Sequence, residues 1–337
     1  MAKFNFEKIC ARPMIVQVDT TNSCNLSCTY CYNKLNSIGG AELSDTQFLE
    51  MIKKVIKELN PVAVSFSGGE TLLRKKLFFR AARMLKNNAI EVRINTNGFL
   101  LDAKTAKEMK RIGVDLVRIT VDNLDSLKIT TRGGKSLNDI FDILSKYFVS
   151  NKVVLACVVR KSNYKSLIEM AKFVKKKKFG MFHLLDLIPC DPSLKKEMLS
   201  KKEWIKFYEI YSKIKHLGIK IIPNHALLFS DNQTKKIKAP FCMAGKYKIV
   251  ITANGFVVPC NYFKTEEYVC GNVKVDNLLD LWKNSEILKK FRYFSGNNIK
   301  CKDCSSEFCK GGCRALADKI LGDPFGGDSY CIKYNLK

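Results

Sequence analysis

The chain has 337 residues, of which 46% are hydrophobic, so it can bury a substantial core in one large or two moderate domains. No apolar run approaches the roughly 18 residues that span a bilayer, and the first residues, MAKFNFEKIC, lack the charged-then-apolar pattern of a signal peptide. These features exclude a membrane-spanning protein and predict a cytoplasmic one.

The formal net charge of +26 comes mostly from lysine, as in KKVIKEL (53–59) and VKKKK (174–178). Lysine runs on helices usually form solvated faces, and the alternative is an acidic partner such as a carboxylate-rich peptide or small molecule. No zinc-finger or RNA-binding motif supports nucleic acid as the partner. Fourteen cysteines in a cytoplasmic chain of this length disfavour a disulfide framework and indicate metal or redox chemistry.

Six short apolar runs alternate with longer helical patterns between residues 14 and 189. Several runs are apolar at consecutive positions, as strands buried on both faces of a parallel sheet are. The predicted strands are MIVQVD (14–19), VAVSFS (62–67), IEVRIN (90–95), DLVRITV (115–121), VVLACVV (153–159) and MFHLLDLI (181–188). This alternation predicts an α/β fold, a partial (β/α)6 barrel whose functional groups lie at the C-terminal ends of the strands.

The helices between these strands have recognisable ends. Ser44 and Gln47 predict a capping box in front of FLEMIKKVIKEL. The other predicted boundaries are Gly113 after the helix near 103–112, Gly180 after the helix near 165–178, and Ser200 with Glu203 at the start and Gly218 at the end of the helix near 200–217.

The character of the sequence changes after about residue 230. NQTKKIKAP (232–240) is typical of a linker, so we divide the chain into a barrel domain, 1–230, and a cysteine-rich domain, 231–337. KIVIT (248–252) and FVVPC (256–260) predict a β-hairpin, because Asn254-Gly255 can supply the positive φ angles of a tight turn. Cysteine ligands are expected to hold this second domain together.

Three cysteines, Cys24, Cys28 and Cys31, lie in TNSCNLSCTYCYN (21–33), directly after the first predicted strand. A closed structural zinc site takes four ligands, so this group is one ligand short. Three thiolates with the spacing CxxxCxxC can hold three irons of a 4Fe-4S cluster and leave the fourth iron free. A structural zinc site and incidental thiols are the alternatives.

The CxxxCxxC spacing after the first strand of a β/α repeat, with Tyr30 before the last cysteine, resembles the signature of the radical S-adenosylmethionine superfamily. The resemblance implies that the open iron chelates the amino and carboxylate groups of S-adenosylmethionine. It implies that one electron, from a flavodoxin- or ferredoxin-type reductant, splits the sulfonium into methionine and a 5′-deoxyadenosyl radical that takes a hydrogen atom from the substrate. Tyr30 is expected beside this cofactor.

The same resemblance assigns cofactor contacts to the second strand end. Gly68, Gly69 and Glu70 match the superfamily's GGE motif, whose backbone and carboxylate meet the methionine amino group. In isolation, a glycine turn would explain these residues equally well. Their place one β/α unit after the cysteines favours the cofactor role.

Polar residues at the next three strand ends are also expected to contact cofactor or substrate. They are Asn95 and Thr96 after the third strand, Asp122 after the fourth, and Arg160 and Asn163 after the fifth. Asp122 occupies the aspartate position of the family pattern S-[IL]-D-G, with Asn123 in place of the glycine, and a helix cap is its alternative role. For Asn97-Gly98 the alternative is a simple turn.

The cysteines after the linker resemble the SPASM extension found behind many radical S-adenosylmethionine enzymes, in particular the branch of pyrroloquinoline quinone maturation and haem-pathway enzymes. Carried over position by position, the family scheme implies two auxiliary clusters, which are expected to be 4Fe-4S centres. The first uses Cys301, Cys304, Cys309 and Cys331, and the second uses Cys242, Cys260 and Cys313, either completed by Cys270 or left with an open iron. The spacing of four residues before Cys309 departs from the expected five, and a zinc ribbon is the alternative.

Three further cysteines, Cys10, Cys157 and Cys190, fit no ligand pattern and are expected to be buried or incidental thiols. The histidines His183, His216 and His225 are too scattered for a ligand set, and His183 within a strand is expected in the core. The sequence identifies no catalytic acid or base.

The resemblance implies a substrate that is a ribosomally made peptide or protein side chain, modified by a thioether or carbon–carbon cross-link or by oxidation. Asn261 follows the hairpin cysteine where the sulfatase-maturing branch has an aspartate, which disfavours that reaction. The first barrel strand begins near Met14, so an N-terminal peptide-recognition domain is not expected. The alternatives are a separate recognition partner or a substrate that needs no leader. Tetrapyrrole side-chain chemistry is the alternative substrate class, and a non-enzymatic iron–sulfur sensor is the alternative of another class.

Overall fold

The computed structural model describes residues 11–35, 38–122, 136–223, 242–294, 309, 311–328 and 330–331. Within these ranges the strands are β1 (Ile15–Asp19), β2 (Ala63–Ser67), β3 (Glu91–Thr96), β4 (Leu116–Thr120), β5 (Val153–Val159), β6 (Met181–Asp186), β7 (Lys220–Pro223), β8 (Lys248–Ile251), β9 (Phe256–Val258) and β10 (Gly271–Asn272). The α-helices are α1 (Tyr32–Leu35), α2 (Asp45–Lys54), α3 (Lys75–Lys86), α4 (Ala103–Ile112), α5 (Leu137–Tyr147), α6 (Leu167–Lys176), α7 (Lys201–Lys215), α8 (Leu278–Asn284), α9 (Glu286–Tyr293) and α10 (Arg314–Leu321). All six predicted strands are confirmed.

The described residues fall into two compact units. The first contains the chain up to residue 95, the short segment 111–115 and the segment beginning at 242 that carries β8 to α9. The second contains 96–110, the chain from 116 to β7, and the C-terminal segment with α10. The division of the sequence at 230/231 stays a prediction.

In the first unit the strand order is β10-β9-β8-β1-β2-β3. β1 pairs in parallel with β2 on one side and with β8 on the other, Ile15 lying opposite both Ala63 and Lys248. Its core residues Val16 and Val18 are fully buried, as a strand covered on both faces requires. The hairpin β8–β9 therefore extends the sheet directly beside the strand that leads into the three-cysteine loop.

In the second unit β4, β5, β6 and β7 pair in parallel in sequence order. β5 is apolar throughout, and Val153, Val154 and Leu155 are buried. The short strand β7 was not predicted from the sequence. Its four residues, KIIP, contain only two isoleucines in succession, and they follow closely after a helix.

Most predicted helix ends are confirmed. Ser44 and Gln47 form the capping box of α2, and Ser200 and Glu203 form that of α7. Two left-handed glycines follow helices as predicted: Gly113 after α4, with φ of +86°, and Gly218 after α7, with φ of +71°.

The expectation that Gly180 ends α6 is wrong. Lys178 takes the left-handed conformation there, with φ of +57°. Gly180 is needed for a close approach instead, because a Cβ at this position would lie 2.5 Å from the Cα of Asn151.

The hairpin β8–β9 forms as predicted, but its turn does not use two positive φ angles. Gly255 alone is left-handed, at +90°, and its N–H donates to the carbonyl of Thr252 over 2.9 Å. This is the three-residue connection in which one glycine closes the turn. Asn254 uses its side chain instead, to bind the carbonyls of Gly39 and Gly40.

No helix in the described part of the chain is long and apolar enough to cross a membrane.

Candidate cofactor site

The loop after β1 carries the three cysteines, and its first residues are held from several sides. Glu42 accepts hydrogen bonds from the Thr21 hydroxyl (2.9 Å) and from the Asn22 backbone N–H (2.8 Å). Arg74 donates from Nη1 to the Thr20 carbonyl over 2.9 Å, and Asn22 donates from Nδ2 to Asn254 Oδ1 over 2.7 Å. The entry of the loop is thus fixed before the first cysteine.

The GGE turn after β2 packs directly on this loop. Gly69 N–H donates to the Thr21 carbonyl over 2.7 Å, and Glu70 N–H donates to the Ser23 carbonyl over 2.8 Å. A Cβ on Gly69 would lie 1.9 Å from the Ser23 carbonyl oxygen, and one on Gly68, where φ is +110°, would lie 2.4 Å from the Thr21 carbonyl oxygen. Only glycine fits both positions, because the two backbones touch.

The three cysteines of the loop are at least partly accessible to solvent. Cys24 is exposed, and Cys28 and Cys31 are half-buried. Leu26 N–H points to the Cys24 sulfur at 3.4 Å, the kind of contact that stabilises a thiolate. Three accessible soft donors on one short loop fit an iron–sulfur cluster that keeps one iron without a protein ligand.

Among the described residues, no group of three or more His, Cys, Asp or Glu side chains is arranged to hold a single metal ion. In a cubane cluster each thiolate binds a different iron, so the thiols need not converge on one point.

Glu70 is completely buried, and its carboxylate accepts the Leu72 N–H over 2.9 Å, capping the short helical turn Thr71–Arg74. Asn95 donates from Nδ2 to the Ser65 hydroxyl and to the Phe66 carbonyl, both over 3.1 Å, which ties the end of β3 to β2. Tyr30 is half-buried within the cysteine loop. These residues therefore lie in the first unit with the cysteines, and their contacts with a cofactor stay predictions.

A buried ionic cluster lies beside the same loop, and the sequence alone did not reveal it. Lys264 binds the Asp19 carboxylate and donates to Asn33 Oδ1 over 2.5 Å. Its ammonium also lies 5.1 Å from the centre of the Tyr32 ring. Burial, with the nearby Asp19 carboxylate, raises the pKa of Tyr32 well above its usual value, so this phenol stays protonated. The sequence could not reveal this ion pair because Asp19 and Lys264 are 245 positions apart.

The predicted residues of the second unit bond mainly to one another. Arg160 Nη2 lies 3.2 Å from Asp122 Oδ1. Asn163 is buried, and its Nδ2 donates to the carbonyls of Asp122 and Val158, both over 2.9 Å, while its Oδ1 accepts the Arg160 N–H over 2.8 Å. These bonds give Asn163 a structural role at the ends of β4 and β5.

The other turn of the second unit is also explained locally. The Thr96 hydroxyl accepts the Gly98 N–H over 3.0 Å, and Gly98 is left-handed with φ of +85°. The segment Asn97-Gly98 therefore forms a turn, and a cofactor contact by Thr96 stays a prediction. The alternative role of Asp122 is to cap a helix. That helix would begin within residues 123–135, which lie outside the described residues.

The proposed auxiliary ligands are divided between the units. Cys242, Cys260 and Cys270 lie in the first, and Cys309, Cys313 and Cys331 lie in the second, all half-buried. Burial raises the pKa of Cys260, and raises the pKa of Cys270 and of Cys309 to about 12, with Asp328 adding to the effect at Cys309. Without metal these thiols stay protonated, so metal binding must release protons. Cys301 and Cys304 lie outside the described residues.

Of the cysteines expected to be incidental, Cys157 is fully buried in β5 and Cys190 is half-buried. Cys10 and His225 lie outside the described residues. His183 lies in β6, where burial, with nearby Arg118, lowers its pKa to about 3. His183 is neutral at ordinary pH, but it is half-buried, so the expectation of a fully buried core side chain is wrong.

Comparison with known proteins agrees with this site. The Radical SAM superfamily profile matches residues 18–174, and that of the SPASM iron–sulfur cluster-binding domain matches residues 242–305. The AdoMet-dependent heme synthase of Methanosarcina barkeri is 23% identical over 95% of this chain and 96% of that protein.

Two solved structures share the fold. Native anSMEcpe with bound AdoMet and Cp18Cys peptide matches with a TM-score of 0.75 and 22% identity, over 96% of this chain and 95% of that one. Streptococcus suis SuiB bound to precursor peptide SuiA also gives a TM-score of 0.75, with 19% identity over 97% of this chain and 78% of that one. They confirm the predicted fold class, the radical SAM partial barrel with a cysteine-rich SPASM domain.

The chain therefore belongs to the radical S-adenosylmethionine superfamily, and it carries a SPASM domain. It is a radical SAM enzyme, whose superfamily domain binds a 4Fe-4S cluster and S-adenosylmethionine and whose SPASM domain binds auxiliary iron–sulfur clusters. This confirms the resemblance and removes the sensor and structural zinc alternatives.

Proposed function

We propose that this enzyme uses S-adenosylmethionine to abstract a hydrogen atom from a side chain of a ribosomally made peptide or protein, forming a cross-link or an oxidised residue. When bound at Cys24, Cys28 and Cys31, the cluster and its cofactor supply one-electron cleavage of the sulfonium and a 5′-deoxyadenosyl radical. The observation that carries the proposal is the direct packing of the GGE turn on the cysteine loop.

The residues around this loop have distinct tasks in the proposal. Gly68 and Gly69 keep the turn close enough to bind the loop backbone, which fixes the thiols relative to the end of β2. Glu70, Asn95 and Thr96 provide polar groups near the ends of β2 and β3, where ligands of parallel sheets bind. Tyr30 provides a hydroxyl within the cysteine loop. Asp122 and Arg160, at strand ends of the second unit, stay predicted cofactor contacts, whereas the hydrogen bonds of Asn163 give it a structural role.

The peptide substrate is supported by the peptides bound in the two solved structures of this fold and by the positive charge of the chain. An acidic leader peptide would be attracted by a surface rich in exposed lysines such as Lys201, Lys202 and Lys206. A separate recognition partner and an acidic one-electron carrier of the flavodoxin or ferredoxin class complete the proposal. We place the reaction in the cytoplasm, where thiols stay reduced before cluster assembly.

Asn261 bears on the type of reaction. It follows Cys260, and its Nδ2 lies 3.5 Å from the Tyr32 hydroxyl. An amide does not accept a proton as a carboxylate does, so we propose that no base acts from this position. This disfavours sulfatase maturation for this chain.

A tetrapyrrole carboxylate is the second candidate substrate, favoured by the relative from Methanosarcina barkeri, which matches over nearly its whole length. The same basic surface would attract a polycarboxylate. The two candidates differ in a product mass: a peptide cross-link removes two hydrogen atoms, whereas decarboxylation removes carbon dioxide. Incubating the reconstituted protein with each substrate class and weighing the products separates them.

The proposal is tested with anaerobically reconstituted protein, dithionite and S-adenosylmethionine. The wild type is expected to form 5′-deoxyadenosine, and the variant C24A/C28A/C31A is expected to form none while it keeps auxiliary iron. C190A, outside all three predicted ligand sets, is the matched control and should behave as the wild type. Deoxyadenosine formation by the triple variant would refute the assignment of the cluster.

A further inference from the structure

Lys264 is a lysine in the interior of the first unit. Only 2% of its surface is exposed, and its partner Asp19 is 1% exposed. An ammonium group buried in this way needs acceptors for its N–H bonds. Lys264 has two, the Asp19 carboxylate and Asn33 Oδ1, together with the face of the Tyr32 ring.

The partners of Lys264 lie on the two sides of the three-cysteine loop. Asp19 is the last residue of β1, before Cys24, whereas Tyr32 and Asn33 directly follow Cys31. Lys264 itself comes from the segment after β9, four positions beyond Cys260. One side chain therefore joins the entry of the loop to its exit.

Building on the proposed function, we infer that Lys264 is a positioning residue for the S-adenosylmethionine cluster: it closes the base of the cysteine loop and places a buried positive charge beneath it. The entry of the loop has other anchors, since Glu42 and Arg74 bind residues 20–22. For the exit, Lys264 binds Asn33, which is itself buried.

Asp19 depends on this lysine in return. Its Oδ2 binds Lys264, and its Oδ1 has no hydrogen-bond partner within the described residues. Removing one partner of a buried ion pair leaves an uncompensated charge, whereas replacing both by neutral groups does not. The pair thus allows the effect of charge and the effect of loop anchoring to be separated by mutation.

The charge effect has opposite signs for the two partners. Reduction adds an electron to the cluster, so removing the positive charge in K264M should lower its midpoint potential, and removing the negative charge in D19N should raise it. A unit charge next to the cluster's loop should change the equilibrium constant for reduction of the cluster on the order of tenfold. For a one-electron couple, tenfold corresponds to about 59 mV. A purely structural role would give both variants the same direction of change.

The anchoring effect is measured separately. The double variant D19N/K264M removes both charges, so its midpoint potential should return close to the wild-type value. It still lacks the bond to Asn33. The concentration of S-adenosylmethionine that half-saturates the change in the cluster's EPR spectrum should therefore rise about fivefold or more, the size of a modest coupling between two sites. K264R, which keeps the charge and the donors, should recover part of this loss.

Lys54 offers a matched control in the same unit. Its ammonium also joins a helix to the segment after β9, by donating to the carbonyls of Val273 (2.8 Å) and Asp276 (2.6 Å). K54M should lower thermal stability without changing either the midpoint potential or the response to S-adenosylmethionine.

The measurement follows the EPR signal that responds to S-adenosylmethionine in the reconstituted full chain. A wild-type signal without this response would refute the proposed function itself. A wild-type response with equal potentials in K264M and D19N, or with unchanged cofactor saturation in D19N/K264M, would overturn the role of Lys264 alone. If K264M does not fold, D19N and the double variant still decide the question.

Discussion

The three-cysteine loop of the first unit and the strand ends of the second unit differ in whether their functional side chains are accessible or bonded to the protein. In the loop, side chains such as Glu42, Arg74 and Lys264 bind backbone and neighbouring groups, and the Cys24 thiol stays exposed. At the ends of β4 and β5, Asn163 bonds to backbone groups of its own neighbourhood and is buried. The comparison separates residues whose polar atoms are occupied by protein contacts, such as Asn163, from residues whose side chains stay accessible to a ligand, such as Cys24.

The largest effect is expected where the loop and the GGE turn touch. In G69A, the new Cβ would lie 1.9 Å from the Ser23 carbonyl oxygen, so the two backbones must separate. We expect deoxyadenosine formation to fall to the level of C24A/C28A/C31A, with a stability loss of about 1–3 kcal/mol as for other overpacked positions. Product analysis and denaturant unfolding measure the two effects.

Gly39 provides the control for this substitution, because a Cβ there meets no atom within 4 Å. G39A should keep activity and change stability by no more than about 0.5 kcal/mol. Full activity in G69A would show that the turn does not need the close contact, and the proposed reason for the two glycines would be wrong.

A smaller effect is expected in the second unit, on stability and not on cofactor binding. N163A removes an amide that serves two carbonyls and one N–H, so it should lower the free energy of unfolding by about 1–3 kcal/mol. Because its polar atoms bond to the protein, the half-saturating concentration of S-adenosylmethionine should change little. Thermal unfolding and cofactor titration distinguish the two results.

The exposed neighbour Ser162, whose hydroxyl donates to Glu197 over 2.7 Å, is the control for N163A. S162A should change stability by less than about 0.5 kcal/mol. If N163A instead kept its stability and lost affinity for S-adenosylmethionine, Asn163 would belong with the residues that contact the ligand, as the sequence first suggested.

The smallest expected effect is a pH dependence from His183. Burial, with Arg118, lowers its pKa from 6.5 in the unfolded chain to about 3 in the folded protein. Above pH 6.5 neither state binds the proton; as the pH falls below 6.5, the unfolded chain takes it up first, so stability decreases toward pH 3. The urea midpoint of the wild type should therefore fall more between pH 7.5 and 5.5 than that of H183Q, and equal slopes would contradict the lowered pKa of His183.

Much of the fold follows from local sequence patterns. The apolar runs of β1 to β6 and the capping boxes at Ser44 and Ser200 act within a few residues, so the sequence predicts them. The left-handed Lys178 was missed because glycine is the usual residue there, and Gly180 served a tertiary contact instead. The four residues of β7 carry too short a pattern to stand out.

The candidate site was predictable in its cysteines and in GGE, because their chemistry requires particular residue types at fixed spacing. The Asp19–Lys264 pair was not, since lysine and aspartate are ordinary surface residues until the fold brings together positions 245 apart. The roles of Asn163 and Asn254 were hidden for a similar reason. An amide suits a ligand contact or a backbone contact equally, and only the surrounding carbonyls decide.

The central claim is that Cys24, Cys28 and Cys31 hold a cluster whose remaining iron is open to S-adenosylmethionine. Its most direct test is the EPR spectrum of the reduced, reconstituted protein before and after the cofactor is added. The account predicts a clear change in one cluster signal of the wild type, absent from C24A/C28A/C31A. A spectrum that the cofactor leaves unchanged, in protein carrying its full complement of iron, would contradict it.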